Sequence, residues 1–266
     1  MIPKSKPIPK HTVEQDLAQL NIRGETLIVH SSLSSMGYIV GGPVAVIQAL
    51  STVLGARGTL VMPGFTSDLT KPEDCLNEDL PPEWMQIISD HLPAFQVDLT
   101  PTYQMGVIPE TFRKMNGTKR SDHPWASWLA RGPQADFVTQ DGAYDFPNGE
   151  DSPLGRLYAL NACVLLLGVS YVNCSCLHLA EMRNKFAPHK RYKRAFRVLR
   201  DNQAEWQEFD DIYLYDQDFE AIGAAFEQQT SQVRLAKVAS ANIKLFRVKD
   251  LVDFAVHWMN ENRSLG

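Results

Sequence analysis

Short apolar, β-rich runs that each stop abruptly at small or polar residues recur along this chain, and they constrain its fold more than any other feature. Thr26–Val29 stops at His30, Thr59–Met62 stops at Pro63–Gly64, and Ala162–Leu167 stops at Gly168. Between the first two runs, Val44, Val46, Ile47 and Leu50 fall at helical spacing. Gly41–Gly42–Pro43 opens that segment and Gly55–Ala56–Arg57–Gly58 closes it. Proline just inside a helix start is favoured because its missing N–H has no partner there in any case. Strand, loop, helix and strand in this order predict an α/β fold with functional groups at the strand ends.

The remaining segments are consistent with that plan. Residues 1–9 read as a loose arm, followed by a helix over Thr12–Leu20 with Thr12 as its N-cap. Phe65–Leu99 is a polar, Pro-rich excursion of the kind that covers a site, with a short helix near Pro82–His91. A long helix is predicted near Met105–Met115 and a strand near Ala135–Val138. Further helices are predicted over Asp218–Gln228 and Val248–Asn260. No repeat, low-complexity tract or Gly/Ser linker divides the 266 residues, so a single domain is expected over 1–266. With 44% hydrophobic residues the chain can build a large core and is no disordered segment. Its longest apolar run, Ala162–Val169, is far short of the roughly 20 residues of a membrane span. The start, MIPKSKPIPK, is basic but broken by prolines and lacks the apolar stretch of a secretory signal. Four cysteines with one Cys-x-Cys pair make no disulfide framework, so the cytoplasm is the expected compartment. Lys plus Arg at 26 against Asp plus Glu at 31 leaves a net charge of −5, which argues against nucleic-acid binding and mildly favours cationic small molecules.

Five polar clusters carry chemistry. His30 ends a strand beside Ser31, Ser32 and Ser34, where loop amides and hydroxyls can hold a polar substrate or carbonyl oxygen; the plainer alternative is a satisfied histidine under a serine-rich turn. Gly41–Gly42–Pro43 opens a helix and is an anion site in principle, but neither a P-loop nor a G-x-G-x-x-G occurs anywhere in the chain. Arg120–Ser121–Asp122–His123–Pro124 crowds four polar groups into one loop ahead of Trp125 and Trp128, and Pro124 holds His123 extended. Asp145 to Leu154 forms a stiff acidic turn that either recognises ammonium groups or is simply solvated. The fifth, Asn173–Cys174–Ser175–Cys176–Leu177–His178–Leu179–Ala180–Glu181, follows the most apolar strand. If His178 begins a helix, Glu181 lies on the same face three residues on and can orient the imidazole as a general base. The alternatives there are a capped helix-start histidine, a Cys174 or Cys176 nucleophile activated by His178, and a metal site. No metal is expected, because Cys-x-Cys-x-His lacks the paired spacing of structural zinc.

Taken in order, HSSLSSMGYIVGG, GTLVMPGFT, RSDHPWASWLARG, GEDSPLGRLY, VLLLGV and HLAEMR resemble the aminoglycoside 3-N-acetyltransferase family, also called the antibiotic N-acetyltransferase family. The resemblance runs from about Leu27 to Arg183 and continues more weakly through Leu251–Trp258. It implies a three-layered α/β/α fold with a mixed central sheet, distinct from the common N-acetyltransferase superfamily fold. It also implies transfer of the acetyl group of acetyl-CoA to an amine, with aminoglycosides as the family's usual acceptors; some members take other amines, so the acceptor does not follow from the match. Carried over motif by motif, His178 matches the family's HxAE histidine with Glu181 as its partner. His30 matches the HSSL histidine, in a segment that helps hold the acetyl-CoA arm. Ser121 and His123 match the RSxHP motif, and Ser152 and Leu154 the SPL motif, both near the cofactor cleft. One departure is that Cys174–Ser175–Cys176 stands where the family carries a Thr-containing run, and a thiol is a poorer hydrogen-bond partner than a hydroxyl.

The resulting expectations are specific. The catalytic candidates are His178, Glu181, His30, His123 and Asp145; the acetyl-CoA-binding candidates are His30, Ser31, Ser32, Leu33, Ser34, Ser121, Ser152 and Leu154. His178 takes the amine proton, N–H groups around Ser31–Leu33 stabilise the thioester oxygen, and Asp145, Asp68 and Asp74 are the acids available to position the acceptor. Transfer is expected to be direct. The rivals are a Cys-dependent ping-pong acyltransferase and a degenerate acetyl-CoA or amine-binding protein without turnover. A small-molecule amine is the expected partner, with no nucleic acid and no membrane; a homodimer is compatible with this reading.

Overall fold

A computed structural model describes residues 6–74 and 80–264. The elements in chain order are α1 (Lys10–Ala18), β1 (Thr26–Ser31), α2 (Gly42–Leu54), β2 (Thr59–Pro63), α3 (Pro82–His91), α4 (Val107–Arg113), β3 (Lys119–Arg120), β4 (Trp128–Arg131) and α5 (Ala135–Thr139). They continue with α6 (Pro153–Ala159), β5 (Cys163–Leu167), α7 (Leu177–Arg183), β6 (Arg191–Arg200), β7 (Gln203–Ile212), α8 (Phe219–Gln229), β8 (Arg234–Val238), β9 (Ala241–Arg247) and α9 (Val248–Asn262).

Seven strands form one mixed sheet in the order β3-β4-β2-β1-β5-β9-β8. β1 is central and runs parallel to β2 and β5, while β4 and β9 flank that trio antiparallel. The parallel trio is buried on both faces, which is why its sequence reads as unbroken apolar runs rather than alternation. Successive side chains still point to opposite faces. Leu27, Val29, Leu60, Met62 and Leu165 join a core with α1, α2 and α4. Ile28, Val61, Val164 and Leu166 join a second core with α5 to α9. Helices therefore cover both faces of a mixed sheet, as the α/β expectation required. β6 and β7 pair separately as a long hairpin, with Phe196, Val198 and Phe209 packed against Trp125 and Tyr144.

Several local expectations are corrected. Residues 135–138 form helix α5, not a strand: Ala135 and Val138 are buried one helical turn apart, and a four-residue apolar run is too short for its period to distinguish the two. The helix expected over 105–115 is only the seven-residue α4, begun after Gly106 at φ +89. The first helix starts at Lys10 with Pro9 at its N-cap, not Thr12. Of the arm expected over 1–9, residues 1–5 lie outside the described residues, while Ile8 is held firmly. Its N–H donates to the Tyr38 carbonyl at 2.8 Å and its carbonyl accepts from Val40 at 2.9 Å.

Gly168, the first residue after β5, has φ +70, and a Cβ there would meet Ser35 Oγ at 1.7 Å and Ser35 Cβ at 2.7 Å. The strand end and the serine-rich turn after β1 thus touch through a missing side chain. Gly168→Ala is expected to destabilise the fold by about 1–3 kcal/mol in urea unfolding. Adding Ser35→Gly removes the clash and recovers part of that loss; a double variant no more stable than Gly168→Ala would show that the contact is not the cause.

Candidate active site

A cleft of about 960 Å³ opens at the carboxyl ends of the parallel strands. The α2 crossover carries the chain from β1 to β2 on one side, and β5 lies on the other, so the cleft sits at the topological switch point where α/β sheets bind ligands. Its walls are His30 and the Ser31–Ser34 turn, Pro63 and Phe65 after β2, and Gln104–Pro109 leading into α4. The segment after β5, His178 and Asp216 complete it.

His178 occupies the first turn of α7, where its ring meets Phe219 at 5.1 Å. Its Nδ1 lies 2.8 Å from Glu181 Oε2, a contact made by their three-residue helical spacing. Glu181 is only 1% exposed and is held from three directions. Its Oε1 accepts from the Tyr215 backbone N–H at 2.7 Å and from Arg263 Nη1 at 2.9 Å. Arg263 in turn forks onto Asp218 at 2.6 and 2.7 Å and donates to the Tyr215 carbonyl at 2.8 Å. The carboxylate therefore sits between an imidazole and a guanidinium, and the imidazole cannot rotate freely. With Nδ1–H donating to Glu181, Nε2 is the ring nitrogen that carries the free lone pair.

His30 projects from the end of β1 to the same side as Ile28 and packs edge-on to Trp128, with ring centroids 6.4 Å apart. It is 4% exposed, and burial, reinforced by the nearby His178, pushes its pKa down to about 4. Its Nε2 and the Ser31 hydroxyl are both buried without a hydrogen-bond partner. Ser32 Oγ and Ser34 Oγ lie 3.0 Å apart, and Ser35 Oγ donates to the Ser32 carbonyl at 2.7 Å. The Ser32 N–H is already committed to the Leu167 carbonyl at 3.0 Å, so of the amides expected to stabilise an oxyanion that one is in use. Leu33 begins a short 3₁₀ turn, whose leading N–H groups lack partners within the turn.

Other candidate residues are placed elsewhere, in work of their own. His123 Nδ1 accepts the backbone N–H groups of Trp125 and Ala126, both at 3.1 Å, and Nε2 donates to the Tyr144 carbonyl at 2.9 Å. Ser121 Oγ accepts from the Trp128 N–H at 2.9 Å. Ser152 caps α6 by accepting from the Leu154 and Gly155 N–H groups at 3.1 and 3.3 Å, and Leu154 is core. Asp145 lines a separate cavity of about 590 Å³ and accepts from the Asp210 N–H at 2.8 Å. Asp74 accepts from the Ala195 N–H at 2.8 Å, and Asp68 lies exposed on a turn after β2. Among the described residues the acid that lines the cleft is Asp216, which follows the β6–β7 hairpin, and neither it nor Arg263 stands in any motif singled out above. The cleft also gains Ser175, and the thiols on either side of it, Cys174 and Cys176, come within 4.8 Å of a ring nitrogen of His30 and of each other. A metal donor set of two thiols and one imidazole thus exists, with His30 rather than His178 as the imidazole.

The chain matches the aminoglycoside 3-N-acetyltransferase family over residues 28–260. It is 38% identical to the SPbeta prophage-derived aminoglycoside N(3')-acetyltransferase-like protein YokD of Bacillus subtilis, over 97% of this chain and 94% of that one. The crystal structure of YokD superposes with a TM-score of 0.93, over 98% and 97% of the two chains. Aminoglycoside N(3)-acetyltransferase VII of Streptomyces paromomycinus is 36% identical over 96% of this chain and 92% of its own. The AAC-IIIb binary complex with CoASH is similar at 26% identity, with a TM-score of 0.84 over 98% and 99% of the chains.

The His123 ring is neutral in the fold, since two N–H groups point at Nδ1 and leave no room for a second ring proton. Burial is the main cause that lowers its pKa from 6.5 to about 4. A histidine lowered in the fold contributes its stability in full above about pH 6.5 and loses it as the pH falls toward 4, because the unfolded chain then binds the proton first. Urea midpoints of the wild type are expected to fall across that window. His123→Asn should cost about 1–3 kcal/mol at neutral pH and show a shallower fall, the remainder belonging to groups such as His30. An unchanged slope in the variant would remove His123 from the pH dependence.

Proposed function

The chain belongs to the aminoglycoside 3-N-acetyltransferase family, and from that premise we propose that it acetylates an amino group of an aminoglycoside or related amine by direct transfer, with His178 as general base. Acetyl-CoA supplies the activated acyl group. The observation that carries the reading is the His178–Glu181–Arg263 chain, which leaves Nε2 as the free ring nitrogen of a histidine that lines the cleft.

An amine attacks a thioester only through its lone pair, so a proton must leave the nitrogen. His178 Nε2 accepts it, and Glu181 compensates the positive charge that the ring then carries. The same proton can pass from His178 to the departing CoA sulfur, so the ring ends neutral and no acetyl-enzyme is needed. Ser31 Oγ, buried and unpartnered at the cleft wall, and the leading N–H groups of the Leu33 turn are the donors available to charge developing on the thioester oxygen. Because His30 is neutral near pH 7, it does not repel the proton that His178 gains. Asp216 is the acid on the cleft wall and takes the acceptor-positioning role first considered for Asp145, Asp68 and Asp74. A cleft of about 960 Å³ is at the large end for small-molecule sites and suits two substrates held together.

The Cys-dependent route has little support, since Cys174 and Cys176 are both 0% exposed. A hydrogen bond that the Cys176 thiol donates to Cys174, together with burial, raises it well above its ordinary range, the opposite of an activated nucleophile. CoA-thiol release, measured with acetyl-CoA and a panel of aminoglycosides, short amines and amino-sugar precursors, tests the proposal. His178→Ala should lower turnover at least about 100-fold, and Cys174→Ser with Cys176→Ser should keep most of it. Near-normal turnover by His178→Ala removes the base, and binding without thiol release across the panel favours a non-catalytic role.

A further inference from the structure

We propose that His30, Cys174 and Cys176 form a binding site for one thiophilic divalent cation, with zinc as the best match. This inference shares His30 with the acetyl-transfer reading, which uses neither thiol, and its readout is metal binding rather than turnover.

Three observations converge. The ligand atoms of the three side chains all lie within 4.8 Å of one another. Both cysteines are 0% exposed and His30 is 4% exposed, so the group forms a defined cluster inside the protein rather than a chance surface meeting. His30 Nε2 is buried with no hydrogen-bond partner, an unpaired nitrogen that a ligand bond would satisfy. The backbone brings the donors from β1 and from the segment that follows β5. His30 is the penultimate residue of β1, whereas Cys174 closes the 3₁₀ turn after β5 and Cys176 stands at the N-cap of α7. The β1–β5 pairing, with His30 opposite Leu166, sets the two elements side by side.

The donor chemistry selects the ion. Two thiolates and one imidazole suit zinc, and three protein ligands with an open fourth position is the arrangement of catalytic rather than structural zinc sites. Tetrahedral zinc, with bonds of about 2.3 Å to sulfur and 2.0–2.1 Å to nitrogen, sets its donors roughly 3.5–3.8 Å apart, and three ligand atoms all within 4.8 Å of one another are compatible with that spacing. The open position has a direction, because His30 and Ser175, the residue between the cysteines, both line the cleft. The cleft is therefore also the route of entry. Binding replaces each S–H bond with a metal–sulfur bond, and two protons pass to the buffer for each ion taken up.

Reduced full-length protein, stripped of metal with a chelator that is then removed, is titrated with Co²⁺ alone. The expected result is a near-ultraviolet thiolate-to-cobalt charge-transfer band that saturates at one ion per chain, is displaced by Zn²⁺ and is accompanied by proton release. Cys174→Ser with Cys176→Ser should abolish the band, and each single variant should reduce it to about half. His30→Gln should weaken binding at least about tenfold. Cys75→Ser and Cys163→Ser should leave the band intact. Absence of the band in the wild type overturns the proposal, as does a band that persists in the double variant. If the double variant does not fold by circular dichroism, the single variants decide: a full-strength band in either one overturns the site.

Discussion

Parallel pairing of β1 with β5 is the contact on which the rest of the molecule depends. The register runs from Leu27 opposite Cys163 to Ser31 opposite Leu167, and the Ser32 N–H extends the ladder by one bond to the Leu167 carbonyl. Two strands that end together and point the same way release their loops on one side. That single fact brings the serine-rich turn, the segment with Cys174 and Cys176, and His178 around one cleft. Both strands are buried on both faces, so a slip of one residue would exchange the two cores and is strongly opposed.

The electrostatics follow from chain ends that meet far from their sequence neighbours. Glu181 comes from α7, Tyr215 from the stretch after β7 and Arg263 from just beyond α9, and together they hold the carboxylate against His178. A buried charge is costly unless it is paired and hydrogen-bonded, and here each partner is supplied by a different segment. The net charge of −5 has little bearing on this arrangement. What matters is that one acid supports the imidazole while another, Asp216, lines the cleft.

Much of the plan was legible in the sequence. The three apolar runs became the parallel trio, and the i, i+3 spacing of His178 and Glu181 became a hydrogen bond. What the polar residues of RSDHP and SPL bond to was not legible there. His123 and Ser152 are polar residues whose partners are backbone N–H and C=O groups, because tight turns leave backbone groups that a nearby imidazole or hydroxyl can satisfy. The β6–β7 hairpin went unread, although Asp201 and Asn202 at positive φ make the two-residue turn that such residues favour. Its strands alternate poorly, with charged residues on both faces, so the apolar period was weak.

By itself the sequence determined the elements whose signals are local: strands from runs of apolar residues, helices from their spacing, and a histidine and glutamate one helical turn apart. Such signals act over a few residues and need no other part of the chain. Only the tertiary structure decided which polar residues share the cleft, because that depends on strand order and register. Asp216 and Arg263 entered the site, and His123 and Asp145 were placed apart from it, through contacts between segments distant in sequence. The pairing of His30 with Cys174 and Cys176 is of the same kind: no spacing along the chain announces it, and one parallel register creates it.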